Sequence, residues 1–515
     1  MRRSGIVPKL ALLPFLFTAA VSFLSPARLI SPEPPAITAA ISSDRSEVLS
    51  SEPETIPLSP VQLKQRIQTI LGKPNLAKVV FSASIVNGES GEIVYEKNPH
   101  LGLIPASNMK IVTTAAALEC LGPEFAFITR VGLCGEKLMV KGSGDPLLGD
   151  KEIDLKNGRR AQPVIQEIAR RLRDLGVSEI TDIVLDTSIF DSQRVHPSWP
   201  QNQLHQKYAC EVSGINYHGN SVAITAVHRQ GKIVLTLDPP TDYLRLRNSL
   251  TIWKSRESWF SVSRTDVPNE LLIQGNCRTE AGPYAVAVEN PALFFGHLLR
   301  SALVEAGIGV AGEILEQRIS EECEVQEVAE FATPLSEVLK RTNKDSFGLA
   351  AEALFKRISV QSNSEGDQGS WQGGRKVVFS YLTSLGLSER EFVISDGSGL
   401  SRENRLSANV LTRILLHLAS GPDWNLFKNS LAVGGLDGTI ENHFWEKAYR
   451  GRVLAKSGYI QAVRALSGVA HTDSGDYLFS FLANKAGNGA RTAIDQAVKA
   501  IIDWGARPSP SRRLP

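Results

Sequence analysis

One pattern, repeated at the two ends of the chain, restricts the fold more than any other. Near the N-terminus two strand-like runs, Val79–Val86 and Glu92–Tyr95, flank Gly88-Glu-Ser-Gly91. Near the C-terminus Ala465–His471 and Tyr477–Asn484 flank Asp473-Ser-Gly-Asp476. Apolar runs of this length around turn residues predict hairpins. Each hairpin has a helix beside it. Ser59-Pro60 is a cap followed by proline at the first helical position, and Leu63, Ile67, Ile70 and Leu71 then share one face. Ile494, Val498, Ile501 and Ile502 mark the matching helix at the other end. A hairpin and a helix at each terminus predict one antiparallel sheet built from both chain ends, with helices packed on it. That is an α+β architecture, and the middle of the chain becomes a large insertion of one or two smaller mixed domains.

The 515 residues suit about three structural units. The expected division is a secretory signal over 1–27, a Pro/Ser/Glu-rich linker over 28–58, a discontinuous main domain over 59–130 and 286–505, an inserted region over 131–285 and a disordered tail over 506–515. The signal reading rests on Arg2, Arg3 and Lys9 ahead of the apolar run Leu10–Leu24, then Ser25-Pro26-Ala27. That run is short for a transmembrane helix. An exported product in the periplasm or cell envelope follows, with at most peripheral membrane association. Removing 1–27 takes the formal charge from +2 to −1. No basic stripe is interleaved with aromatics, which argues against a nucleic-acid partner.

The five cysteines are widely spaced with no Cys-x-x-Cys pair, so neither a dense disulfide framework nor a zinc site is expected. The nine histidines show no ligand spacing, and no metal or other cofactor is implied. Gly307-Ile-Gly-Val-Ala-Gly312 matches the dinucleotide fingerprint by letter, but it follows a helical pattern and reads as a helix cap leading into a strand.

Three short stretches carry chemistry. Ser107-Asn-Met-Lys110 opens an apolar helix running to Leu121. Positions i and i+3 share one helix face. A hydroxyl needs an adjacent base to become a nucleophile, and a lysine desolvated by apolar neighbours can serve. Alone, the pair reads more simply as a capping serine and a snorkelling lysine. Ser346, at a break in the helical stretch Leu335–Ile358, is placed to relay a proton, though in isolation it is a helical serine. Lys456-Ser457-Gly458 precedes the C-terminal hairpin; its cation and hydroxyl suit a carboxylate, and its glycine lets a substrate backbone come close.

The order Ser-x-x-Lys, a serine motif, then Lys-[Ser/Thr]-Gly resembles that of penicillin-binding proteins and serine β-lactamases. Further matches narrow the resemblance: Gly142-Ser-Gly-Asp-Pro146, Asp186-Thr-Ser-Ile-Phe190, Asp396-Gly-Ser-Gly-Leu-Ser-Arg402 and Gly435-Leu-Asp-Gly-Thr439. Over about 75–505 the chain resembles the low-molecular-mass (class C) penicillin-binding proteins, D-alanyl-D-alanine carboxypeptidases and endopeptidases with a large inserted domain. The resemblance implies a serine β-lactamase/transpeptidase-like fold, peptidoglycan stem peptides as substrate and β-lactams as inhibitors. It implies Ser107 as nucleophile, Lys110 as base, Ser346 as proton shuttle and Lys456 as the source of the local field. Ser457 would hold the terminal carboxylate, and the N–H groups of Ser107 and Tyr459 would form the oxyanion hole.

The chain departs from this pattern at three places. Gly348 stands where the middle motif normally has asparagine. Tyr459 stands where a small hydroxyl residue is usual. In the inserted region, Trp199, Leu204 and Tyr208 keep a substrate-binding pattern, but Gln203 replaces its acid. These departures support a second reading, a homologue that binds muropeptides without efficient turnover.

Overall fold

The computed structural model describes residues 59–151, 163–253, 257–320, 322–362, 368–487 and 489–506. The segments read as signal, linker and tail lie outside the described residues, apart from Ala506. Ser59 forms a reciprocal capping box with Gln62, and the helix Pro60–Leu71 follows. The sheet expected from the two chain ends is present. Its six strands run in the order Ala432–Val433, Val453–Ile460, Val463–Thr472, Gly475–Asn484, Val80–Asn87 and Ile93–Lys97, all antiparallel.

Both faces of this sheet are buried, and the period-2 alternation of its strands sorts them. On Gly475–Asn484, Phe479 and Phe481 face a core shared with Leu63, Ile67, Ile494 and Val498 of the terminal helices. Leu478 and Leu482 face the opposite core, built on the helix Met109–Leu121 and the helices Gly348–Ser362, Trp371–Ser384 and Ala408–Ala419.

The insertion has its own core around a five-stranded sheet in the order Ile314–Glu316, Ile183–Asp186, Lys137–Lys141, Ala126–Cys134 and Gln326–Pro334. Two three-stranded sheets complete it. Its limits differ from the expected 131–285. The helix Pro291–Glu305 buries Phe294, Phe295, Leu298 and Leu299 in the inserted core, and the strand ending at Pro334 pairs with Ala126–Cys134. The return to the part built on the terminal sheet therefore falls at Leu335. Cys134 and Cys323 form a disulfide beside that strand pair, and Cys120, Cys210 and Cys277 are free thiols. One stretch of the insertion runs back over the other part: Phe190, Trp199, Leu204 and Cys210 belong to the core around Met109–Leu121.

Candidate active site

Ser107 sits in a tight turn, Ala106–Asn108, that feeds directly into the buried helix Met109–Leu121. Ala106 takes a left-handed conformation (φ 47°), uncommon for a residue with a Cβ. The turn leaves Ser107 half-exposed and Lys110 buried. Lys110 Nζ lies 3.3 Å from Ser107 Oγ and donates to the Ser398 carbonyl at 2.8 Å. Loss of water lowers the Lys110 pKa to about 8, against the opposing pull of the Glu352 and Asp396 carboxylates.

The carbonyl that holds Lys110 belongs to a tightly fastened loop. Asp396 accepts from the N–H groups of Gly399 (2.8 Å) and Ser401 (2.6 Å) and from the Trp199 indole (2.9 Å). Glu352 accepts from Gly397 N (3.0 Å), Ser398 N (2.7 Å) and the Trp371 indole (2.8 Å). Burial and the neighbouring Asp396 raise the Glu352 pKa to about 7, despite these donors. Gly399 has φ 82°, and a Cβ there would lie 1.8 Å from the Ala106 carbonyl. Glycine is therefore required where the loop meets the turn that carries Ser107.

Asn108 ties the same turn to the sheet. Its amide donates to the Lys456 carbonyl (2.9 Å) and accepts from Ser467 N (3.2 Å). Lys456 is buried, with Nζ on the Ser457 carbonyl at 2.9 Å. Burial, then the like charges of Lys110 and Arg491, push its pKa well below the usual lysine range. Ser457 Oγ donates to Thr439 Oγ1 at 2.8 Å. The structure gives Gly458 a second reason to be glycine, besides the expected approach of a substrate backbone. A Cβ on Gly458 would meet the Pro105 carbonyl at 2.8 Å and the Asn108 amide at 3.2 Å, so its missing side chain makes room for the turn that carries Ser107.

Ser346 occupies the break between the helices Leu335–Lys344 and Gly348–Ser362, with φ 59°. Phe347, beside it, is held between the cations of Lys207 and Arg341 at 5.7 and 5.6 Å from its ring centre. Asn343, a neighbour that carries an amide, is turned into the core, donating to Thr114 Oγ1 (3.1 Å) and Ser430 Oγ (2.9 Å).

A cavity of about 670 Å³ gathers Ser107, Lys110, Ser346, Gly348 and Tyr459, with Gln203 and Tyr208 from the insertion. Lys456, Ser457 and Gly458 lie outside its lining. Tyr459 is 69% exposed, its ring under the Arg464 guanidinium at 4.1 Å. Tyr208 Oη donates to Gln203 Oε1 at 3.0 Å, whereas Trp199 is buried on Asp396.

This geometry gives a serine hydroxyl beside a desolvated amine at the mouth of a helix, on a sheet made from both chain ends. Comparison with known families matches residues 63–503 to the D-Ala-D-Ala carboxypeptidase 3 (S13) family. The chain belongs to that family. It is 30% identical over 464 residues to the D-alanyl-D-alanine carboxypeptidase of Actinomadura sp. (strain R39), covering 85% of this chain and 84% of that protein. It is 24% identical over 412 residues to D-alanyl-D-alanine carboxypeptidase DacB of Haemophilus influenzae, covering 77% and 82%. The crystal structure of penicillin binding protein 4 (dacB) from Haemophilus influenzae superposes with a TM-score of 0.70 at 21% identity, over 86% of this chain and 98% of that one. The fold is thus that of a low-molecular-mass penicillin-binding protein.

Two residues that organise this S13 site were not singled out from the sequence. Asn108 lies inside the Ser-x-x-Lys motif, where it reads as filler. Glu352 had a visible signal, a lone acid within the apolar run Leu349–Phe355.

Proposed function

We propose that the chain is a serine-type D-alanyl-D-alanine carboxypeptidase or endopeptidase acting on peptidoglycan stem peptides. The observation that carries this reading is the 3.3 Å contact between Ser107 Oγ and the desolvated Lys110 amine. Neutral Lys110 accepts the hydroxyl proton as Ser107 Oγ bonds to the carbonyl carbon of the D-alanine on the acyl side. The N–H groups of Ser107 and Tyr459 take the charge that develops on the carbonyl oxygen. The C–N bond then breaks as the proton passes from Lys110 through Ser346 to the leaving amine. Water adds to the Ser107 ester and releases a carboxylate, restoring the hydroxyl. Lys456 sets the field beside this centre, and Ser457 holds the terminal carboxylate. A β-lactam presents the same carbonyl but keeps its leaving amine tethered, so it traps Ser107 as an ester. The basic and apolar start of the sequence supports export to the periplasm or cell envelope.

Gly348 favours a second reading, a muropeptide-binding homologue with slow turnover, because the amide expected there is missing from the cavity wall. The test is covalent labelling by fluorescent penicillin, with Ser107→Ala as control, followed by release of D-alanine from a pentapeptide. Labelling lost in the variant, together with release, is expected. Labelling without release selects the binding homologue, and its absence from the wild type refutes the acyl-enzyme.

A further inference from the structure

The cavity beside Ser107 is lopsided in charge. Its walls carry two cations, Lys110 and Arg464, two primary amides, Gln203 and Gln461, and no carboxylate among the described residues. Arg464 faces Tyr459 across the ladder, three residues further along than the Lys456–Ser467 pair. That offset is about 10 Å of strand. Its guanidinium is held on three sides: Nη1 donates to the carbonyls of Val463 (2.8 Å) and Ile460 (3.3 Å), and the plane rests on the Tyr459 ring. Arg402 fixes the same turn from the other side, donating to the Gln461 carbonyl at 3.2 and 3.3 Å. Both bonds of Arg464 use one nitrogen, and among the described residues no carboxylate pairs with it. A guanidinium fixed in place with Nε and Nη2 uncommitted suits a planar carboxylate.

We infer that Arg464 selects stem peptides whose side chain, on the acyl side of the cut, ends in a carboxylate, and that the site disfavours a side chain ending in a free ammonium. This rests on the peptidase reading of the same cavity. With Lys110 neutral in the reacting enzyme, an incoming ammonium still finds the fixed Arg464 cation and no acid among the described lining residues. Gln203 and Gln461 offer amides, which accept a neutral or an anionic group equally well.

The test uses the full chain and three penicillins that differ only in whether the side chain ends in a carboxylate, a primary amide or an ammonium. Their acylation rates are read by competition with fluorescent penicillin, for the wild type and for Arg464→Gln. The wild type is expected to react at least about fivefold faster with the carboxylate than with the ammonium, as a half-exposed charge-assisted contact allows. Arg464→Gln is expected to abolish that preference and leave the amide compound unchanged. All three carry the same ring carboxylate, so an equal loss for all would place Arg464 on the terminal carboxylate and overturn the inference. Equal rates with all three in the wild type would also overturn it. If fluorescent penicillin did not label the wild type, the peptidase reading would fall. Calorimetric binding of tripeptides with the same three side-chain termini would then still decide the charge selection.

Discussion

Replacing Lys110 by arginine separates its role as a base from its role as a cation. An amine titrating at about 8 is about 9% neutral at pH 7, whereas one at its ordinary 10.5 is only about 0.03% neutral. Desolvation thus multiplies the population of competent base by roughly 300-fold. Because protonation removes the base, acylation of Ser107 should fall about tenfold per pH unit below 8 and level off above it. Glu352 and Asp396 hold the ammonium in place and desolvation opposes it, so the bend in the profile reports their balance. Lys110→Arg keeps the positive charge and can still reach the Ser398 carbonyl, but it does not deprotonate. Acylation at pH 8 should drop by at least about 1000-fold, within the span of a lost general base, and should become flat with pH. The assay is the time course of fluorescent penicillin bound to Ser107 from pH about 6 to about 9.5. A variant retaining more than about a tenth of the rate, or a flat wild-type profile, would falsify the assignment of Lys110 as base.

Two further substitutions probe the parts around that pair. Glu352→Gln sets an amide N–H against one of the three N–H donors the carboxylate now accepts, and removes a charge that stabilises the Lys110 ammonium. The plateau rate of acylation should fall about tenfold or more, and the bend in the pH profile should move below 8; an unmoved bend would show that Glu352 does not act through Lys110. Gly348→Asn restores the missing amide. Its Cβ would lie 3.1 Å from the Tyr208 carbonyl, so the turn Lys207–Ala209 must yield by a few tenths of an ångström. Acylation should rise about tenfold, as expected for regaining one aimed polar contact, while Gly348→Ala should show the steric effect alone; equal rates in the two variants would sink the idea that an amide is what this wall lacks.

The parts of this molecule that local pattern dictates were legible, and those fixed by distant contacts were not. The Ser59 cap, both hairpins, and the break at Ser346 follow from turn residues and periodicity within about ten residues. Ser107 and Lys110 meet because the turn Ala106–Asn108 runs straight into the helix Met109–Leu121 and keeps positions i and i+3 on one side. The end of the insertion follows no such rule. The apolar helix Pro291–Glu305 would fit either core, and it joins the inserted one because Ile314–Glu316 pairs with Ile183–Asp186 and Gln326–Pro334 pairs with Ala126–Cys134. The same holds within the site. That Gly458 must also make room for Pro105, some 350 residues earlier, is visible only once the chain is folded. Glu352 gains its meaning only from the backbone N–H groups of Gly397 and Ser398.

Unfavourable features are concentrated around one hydroxyl. Ala106 and Ser346, both carrying a Cβ, are held at positive φ, at a cost of roughly 1–3 kcal/mol each. Lys110 and Lys456 are buried near enough for one charge to oppose the other. Glu352 is buried beside Asp396, and the two carboxylates oppose each other in turn. None of these arrangements helps the chain fold, and simpler residues would relieve each. They persist because the surrounding apolar packing holds the elements in place: the helix behind Ser107 buries Met109, Ile111, Val112 and Ala115 to Leu118. A fold that only needed to stand would not put two amines and two carboxylates out of water around a single half-exposed serine. Their convergence on Ser107 is accounted for by the proposed proton-transfer role and has no counterpart in the simpler reading of a capping serine with a lysine beside it.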